Sequence, residues 1–247
     1  MKAKLFILFL FCGLSLFKLQ AQNLGFWDGI ENFDGPTDNN PVLSAQIDFY
    51  FDIMVSPLPD SIKLEISRLV ARTSYNTALR DFILWKLLDK YQCPEYMTQD
   101  QVFVWLYDDY FSKLEIKDLN EVNLALIREK AERLRRLAMY QPAPNFQLSE
   151  SIDLHSVESE YTVLLFYDHD CELCQQELRD LDSVLLSRPD ILTLAFDMNP
   201  DSTEEWAKPS ELMGLYDIEA TPLIYVLDRD KRIIAKKIRA KQIPLVL

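Results

Sequence analysis

Glycine, histidine and basic charge are all scarce in this sequence of 247 residues. Only 5 glycines are present, and neither GxGxxG nor GxxxxGK[ST] occurs, which argues against a glycine-rich phosphate loop. Histidine occurs only as His155 and His169, which excludes a histidine-rich metal site and argues against Ser-His-Asp or Cys-His hydrolase chemistry. The formal net charge of −13 gives no support for binding to nucleic acid or to an anionic membrane surface.

Cysteine is also infrequent, with 4 residues, too few for a small fold held together by disulfides. Hydrophobic residues make up 49% and charged residues 26% of the chain, which is typical of a globular protein. The length is sufficient for one or two domains with buried cores.

The first 21 residues have the layout of a secretory signal peptide. Lys2 and Lys4 provide a positive start, Leu5 to Phe17 is apolar, and Ala21 offers a small residue for cleavage. The apolar run is shorter than the roughly 20 residues of a membrane span, so an uncleaved anchor is the less favoured reading. We therefore expect a mature chain that starts near Gln22, has no membrane attachment and works in the periplasm or elsewhere outside the cytoplasm.

Residues 22–140 are predicted to form an all-α domain. From residue 41 onward the apolar residues recur at helical spacing, and proline and capping residues divide them into about five helices. The last of these is predicted over 120–139. Two prolines in the segment 141–146 end the helical pattern and force an extended chain, which sets the predicted domain boundary at 140–141.

Residues 141–247 are predicted to form an α/β domain. The apolar runs at 161–167 and 191–196 are typical of buried strands, and two further strands, 223–227 and 232–238, are joined by a hairpin at 228–231. Helices are predicted over 172–186 and 202–216. The order β-α-β-α-β-β indicates a small sheet with a parallel part and an antiparallel edge.

The motif Cys171-Glu172-Leu173-Cys174 lies between a predicted strand and a predicted helix. Free backbone N–H groups and the helix dipole at such a position stabilise a thiolate, so we expect the Cys171 pKa to fall and Cys171 to be a nucleophile. Cys174, one turn later, would resolve the mixed disulfide. Zinc would need two more ligands at suitable spacing, and no second pair exists, so neither a metal nor another cofactor is expected.

Three neighbours of this pair are candidates for tuning it. Asp170 and Glu172 should raise the thiolate's pKa and make the pair less oxidising. His169 would favour the thiolate if protonated, and the alternative interpretation is that it is a solvated loop histidine.

Pro222 follows Thr221 at the start of a predicted strand, where a cis or a trans bond is equally compatible with the sequence.

These residues carry a family resemblance. The runs YTVLLFYDHDCELCQQELRDL and YDIEATPLIYVLDRDKRIIAKKI, with the lead-in QPAPNFQL, resemble the thioredoxin-like fold. The chain is most similar to its exported TlpA/ResA-type branch and the related alkyl-hydroperoxide-reductase-like (AhpC/TSA) proteins. The segments FWDGIENFD and EKAERLRRL resemble a helical domain of unknown function that precedes such domains in exported bacterial proteins. The resemblance implies a nucleophilic Cys171, a resolving Cys174, and a cis-Pro222 that, with the Thr221 backbone, binds substrate.

The sequence also departs from that family. Asp170 stands where many members have tryptophan, and Leu165 stands where thioredoxins often have a buried acid. Asp168 occupies the place of the threonine that peroxidase relatives need, which disfavours peroxide reduction, and it is a candidate proton acceptor for Cys174.

The favoured function is that of an exported thiol–disulfide oxidoreductase acting on protein thiols and disulfides, with an unknown redox donor. The alternative is a binding or scaffold module in which Cys171 and Cys174 form a static disulfide and the helical half contacts another protein. The remaining mature cysteine, Cys93, is expected to be buried, and an intermolecular disulfide is its alternative.

Overall fold

The computed structural model describes residues 25–37, 40–94, 96–199 and 207–247. The predicted signal peptide lies outside the described residues. The chain forms two compact units that divide between Leu87 and Leu88. Within the described ranges, no helix is both long enough and apolar enough to cross a membrane.

The first unit is helical. It contains α1 (Pro41–Phe49), α2 (Pro59–Arg72) and most of α3 (Thr77–Gln92). Proline at the first helical position, which needs no N–H partner, begins both α1 and α2. The Asn40 side chain caps α1 by accepting hydrogen bonds from the backbone of Val42 and Leu43.

The second unit begins with the end of α3 and two further helices, α4 (Asp100–Leu106) and α5 (Glu121–Arg136). The five helices expected from the periodicity are therefore present. The last is shorter than predicted, and α1 and α4 continue into π-helical turns at Tyr50–Met54 and Tyr107–Phe111 that the periodicity did not indicate. The side chain of Asn120 caps α5 by accepting a hydrogen bond from the Asn123 backbone at 2.8 Å.

A mixed sheet of four strands follows in the order β2-β1-β3-β4. The strands are β1 (Tyr161–Tyr167), β2 (Ile191–Asp197), β3 (Leu223–Leu227) and β4 (Ile233–Lys236). β1 and β2 are parallel, whereas β3 is antiparallel to both β1 and β4. The predicted order and the antiparallel edge are confirmed.

The sheet is buried on both faces along its centre. Leu164 and Phe166 of β1 pack into one apolar cluster and Val163 and Leu165 into another, because successive side chains of a strand point to opposite faces. α6 (Glu172–Leu185) connects β1 to β2, α7 (Pro209–Leu215) precedes β3, and α8 (Ile243–Val246) follows β4.

Two details of the predicted α/β part are corrected. β2 is an edge strand, and Leu192 is 38% exposed, so this strand is only partly buried. An apolar run does not distinguish an edge strand from a central one, which explains the error. The helix predicted over 202–216 is shorter: it spans Pro209–Leu215 with Lys208 as its N-cap, so residues 207 and 208 are not helical, and residues 202–206 lie outside the described residues.

Buried ion pairs attach the later helices to the sheet. The Lys236 ammonium of β4 contacts the Asp100 carboxylate at the start of α4 and the backbone carbonyl of Leu137 after α5. Both charged side chains are almost fully buried. The helices from residue 88 onward thus belong to the same compact unit as the sheet, while the predicted boundary at 140–141 stays a prediction.

Candidate redox site

Strand register brings three separate segments to one edge of the sheet. Tyr167, the last residue of β1, pairs with Asp197, the last residue of the parallel strand β2. Phe166 pairs with Leu223, the first residue of the antiparallel strand β3. The segments 168–174, 197–199 and 221–222 therefore meet where β1 ends. The first contains the predicted catalytic pair, and the last contains the predicted substrate-binding residues.

Cys171 and Cys174 lie at the N-terminus of α6. Cys171 is the N-cap, and its Sγ accepts a hydrogen bond from the Cys174 backbone N–H at 3.2 Å. The Cys171 side chain is half-buried, whereas Cys174 is fully buried. Both are free thiols in this structure. The Cys171 sulfur, the outer of the two, can therefore reach a substrate. The Cys174 sulfur, the inner one, is shielded from solvent by the protein.

The surroundings shift the pKa values of the two thiols in opposite directions. The pKa of Cys171 is lowered from 9.0, first by a hydrogen bond from the Cys174 thiol and then by the backbone N–H of Cys174. Burial is the main cause that raises the pKa of Cys174, followed by its hydrogen bond with Cys171. As the pH rises, Cys171 therefore loses its proton before Cys174 does, in keeping with the nucleophilic and resolving roles predicted for them.

Thr221 and Pro222 approach the pair from the β3 side. The Thr221–Pro222 peptide bond is cis, and both residues are half-buried. A hydrogen bond from the Thr221 side chain lowers the pKa of Cys174, against the effect of burial. Thr221 therefore contacts the inner thiol directly, in addition to the substrate-binding role that the family resemblance implies for its backbone.

The His169 ring contacts two carboxylates. Its Nδ1 lies 2.6 Å from Asp197 Oδ2, and its Nε2 lies 3.5 Å from Asp170 Oδ1. The hydrogen bond to Asp197 is the main cause that raises the His169 pKa from 6.5. His169 is a half-exposed loop histidine held by Asp197, and its effect on the thiolate stays a prediction.

Among the causes of the Cys171 shift, the carboxylate that raises the pKa is that of Asp168. Asp168 Oδ1 accepts a hydrogen bond from the Asp170 backbone at 2.9 Å, and the Asp168 carbonyl accepts one from the Cys171 backbone at 3.1 Å. The Asp168 backbone also hydrogen-bonds Cys174 and lowers its pKa. The predicted tuning by Asp170 and Glu172 stays a prediction.

One group of described side chains is compact enough to surround a metal ion. The ligand atoms of Asp168, His169 and Asp197 lie within 4.8 Å of one another. Their oxygen and nitrogen atoms already bond to each other and to neighbouring backbone, and His169 is the exposed member of the three. These contacts account for the arrangement, so we assign no metal site to it.

Helix α5 anchors the segment that leads to Pro222. Lys130 contacts both the Asp217 carboxylate, at 3.3 Å, and the Glu219 carboxylate. Arg133 Nε and Lys237 Nζ also lie within 4.0 Å of Asp217, at 3.5 and 3.7 Å. Because Asp217 is buried, these cations compensate its charge and fix the chain a few residues before the cis bond.

Cys93 is exposed, so the expectation that it is buried is wrong. It directly follows α3, and its thiol donates a hydrogen bond to the Glu219 carboxylate. Cys93 lies in the turn after the helix, where its thiol meets a carboxylate, and a general preference of cysteine for burial does not take this position into account. The intermolecular disulfide stays a prediction.

Sequence reasoning missed Asp197, Asn199 and Glu219. Asn199 Nδ2 lies 3.3 Å from Asp168 Oδ1 and 3.5 Å from Asp170 Oδ2, so it joins the two acidic residues. The sequence did contain a signal for Asp197 and Asn199. The carboxyl ends of two parallel neighbouring strands lie at the same edge of a sheet, so polar residues directly after β2 are expected near those directly after β1. Glu219 gave no such signal, since its partners come from α5 and from the residue after α3.

No family model matches this sequence, and no curated protein matches it. Among solved structures, the chain is similar to a thioredoxin-like protein from Bacteroides caccae, with 16% identity and a TM-score of 0.67 over 89% of this chain and 88% of that one. A domain of a possible thiol-disulfide isomerase from Cytophaga hutchinsonii is 29% identical over 43% of this chain and 88% of that one, with a TM-score of 0.37. A thiol:disulfide interchange protein from Bacteroides sp. is 19% identical over 43% of this chain and 85% of that one, with a TM-score of 0.34.

The first of these similarities extends over nearly the whole described chain and establishes the fold. The narrower resemblance to the TlpA/ResA-type branch stays a prediction. This chain has a thioredoxin-like fold preceded by a helical region.

Proposed function

We propose that this protein is an exported thiol–disulfide oxidoreductase that acts on protein substrates through Cys171 and Cys174. The observation that carries the proposal is the asymmetry of the pair. A half-buried sulfur accepts a backbone hydrogen bond at a helix N-terminus, and a fully buried thiol donates to it. This arrangement supplies one nucleophile and one resolving thiol.

The exchange balances as a two-electron transfer. The Cys171 thiolate attacks one sulfur of a substrate disulfide, forms a mixed disulfide and releases the other substrate sulfur as a thiolate. Cys174 then loses its proton and attacks Cys171 Sγ, which releases the second substrate thiolate. The substrate is reduced to a dithiol, the Cys171–Cys174 pair is oxidised to a disulfide, and an external dithiol must reduce the pair again.

The loop with the cis bond is proposed to hold the substrate during this step. Thr221 and Pro222 lie beside the pair and are partly exposed, so a substrate backbone can reach them. The Thr221 hydroxyl stabilises the Cys174 thiolate, which assists the second attack. The extracytoplasmic location is proposed from the pattern of residues 1–21 alone.

A disulfide-reduction assay tests this function. The reduced protein should reduce insulin disulfides in the presence of dithiothreitol, faster than dithiothreitol alone. Cys171→Ser should abolish this increase, whereas Cys93→Ser should retain it. If the protein gives no increase and its own disulfide resists reduction by a strong dithiol, the proposal fails and the scaffold alternative is supported.

A further inference from the structure

We infer that acidic side chains around Cys171 select substrates whose reacting cysteine is flanked by lysine or arginine. The inference rests on the proposed function, because it names the substrate class of that same dithiol. We call these side chains the acidic rim: Asp168, Asp170, Glu172 and Asp197.

The four residues of the rim belong to two segments that meet at this end of the sheet. Asp170 and Glu172 directly precede and follow Cys171 in the sequence. Asn199 joins Asp168 to Asp170 through its side-chain amide. Asp197 reaches the same place from β2 because it pairs with the last residue of β1.

The two outer members of the rim face the solvent. The Asp170 side chain is 80% exposed, and Glu172 is also exposed. Among the described residues, Glu172 forms no ion pair with a lysine or arginine. These charges are therefore available to a molecule that approaches Cys171.

Among the residues that the structure describes, few cations offset the rim. His169 lies between Asp197 and Asp170, and even when protonated it supplies one positive charge against four carboxylates. Lys130 is close to the loop of Pro222, but its side chain is only 9% exposed and contacts Asp217 and Glu219. Arg179 lies farther along α6, where it donates a hydrogen bond to Gln176.

The half-buried nucleophile marks where the ligand must approach. A substrate sulfur has to come within bonding distance of Cys171 Sγ, so the residues next to it come within a Debye length of Asp170 and Glu172. Leu173, which is 46% exposed, adds an apolar contact beside the same sulfur. A field of one sign around a reactive group raises the encounter rate with partners of the opposite sign by about 10- to 1000-fold at low salt.

Matched peptides test the selection on the full mature chain. Three peptides share one intramolecular disulfide and differ only in whether lysine, glutamine or glutamate flanks the cysteines. Each is mixed with pre-reduced protein, and the second-order rate of disulfide loss is divided by its rate with dithiothreitol alone. This division removes the effect of the flanking charge on the intrinsic reactivity of the peptide disulfide.

We expect the normalised rates to fall in the order lysine, glutamine, glutamate, with the first at least about tenfold above the last at low ionic strength. The ratio should shrink towards one near 1 M salt, where the Debye length is about 3 Å. In Asp170→Asn/Glu172→Gln the ratio should fall severalfold. The matched control Glu158→Gln/Glu160→Gln, which removes two exposed charges before the opposite end of β1, should keep the wild-type ratio.

The outcomes separate the two proposals. If no peptide is reduced, including the neutral one, the proposed function itself fails. If all three are reduced at equal normalised rates, the function stands and the selection by charge is wrong. If the rim and control variants lower the ratio equally, the net charge of the whole protein is responsible and the local rim is refuted.

Discussion

At the scale of single residues, Cys171 and Cys174 are one helical turn apart and differ in every property that matters for exchange. Cys171 is half-buried and accepts hydrogen bonds, while Cys174 is fully buried and donates one. The Cys174 thiol is the largest cause of the lowered Cys171 pKa. The reactivity of the outer sulfur therefore depends on a proton held by the inner one.

The pH dependence of alkylation tests this coupling. The rate of Cys171 with iodoacetamide should reach half its maximum below pH 9.0, because the lowered pKa keeps the thiolate populated as the pH falls. Cys174→Ala removes the donor and should move the midpoint upward. Cys174→Ser keeps an O–H donor and should move it less, and equal midpoints in both variants would show that the inner side chain has no part in the shift.

The contact between His169 and Asp197 gives a second prediction at this scale. Asp197→Asn should lower the His169 pKa, because the carboxylate hydrogen bond is the main cause that raises it. NMR titration can measure this with His155 as an internal reference, since these are the only two histidines. An unchanged His169 pKa in the variant would contradict the assignment.

The raised pKa of His169 determines how this residue contributes to the pH dependence of the protein's stability. A pKa raised in the folded state favours folding of the protonated form, so the contribution is complete below the ordinary value of 6.5. It is lost as the pH rises through the raised folded-state pKa. In Asp197→Asn this part of the pH dependence of unfolding should shrink.

At the scale of elements, charged side chains of helices α4 and α5 pair with charged side chains of the sheet and of the segment that leads to Pro222. Lys236 of β4 contacts Asp100 of α4, and Lys130 of α5 contacts Asp217 near the loop of Pro222. Removing one partner of a buried pair leaves an uncompensated charge, whereas replacing both with apolar side chains is often neutral. Such pairs therefore make the helix positions sensitive to single substitutions.

Lys236→Met should destabilise the protein by about 3–5 kcal/mol, because Asp100 is then buried without its counter-charge. Denaturant unfolding measures the loss. Asp100→Leu/Lys236→Met should recover much of it. If the double variant is as unstable as the sum of both single variants, the two charges act independently and the argument is wrong.

At the scale of the whole molecule, local patterns predicted most elements, and the contacts between them required the structure. β1, β3 and the start of α6 match their predictions, since each combines an apolar pattern with a clear break. The exposure of β2, the π-helical turns and the contact of His169 with Asp197 depend on which segments become neighbours. That information resides in strand register and in the packing of helices, which one sequence does not display directly.

The extent of the compact unit that contains the sheet also differs between the local sequence pattern and the contacts of the structure. Proline residues favoured a boundary at 140–141, while the compact unit of the structure begins at Leu88. A chain of residues 141–247 would leave Lys236 without Asp100 and without the Leu137 carbonyl. We expect it to unfold at a lower temperature than a chain of residues 77–247, which keeps α3 whole. Equal midpoints in calorimetry would instead support the boundary at 140–141.

The most direct test of the central claim is to capture the mixed disulfide. Cys174→Ser and Cys171→Ser are each mixed, in reduced form, with a peptide disulfide, quenched with acid and examined by intact mass and fragmentation. Cys174→Ser should accumulate one peptide adduct on Cys171, because the resolving thiol is missing, and Cys171→Ser should accumulate none at this motif. An adduct found on Cys174 in the absence of Cys171, or none on Cys171 in the absence of Cys174, would contradict the assignment of the nucleophile.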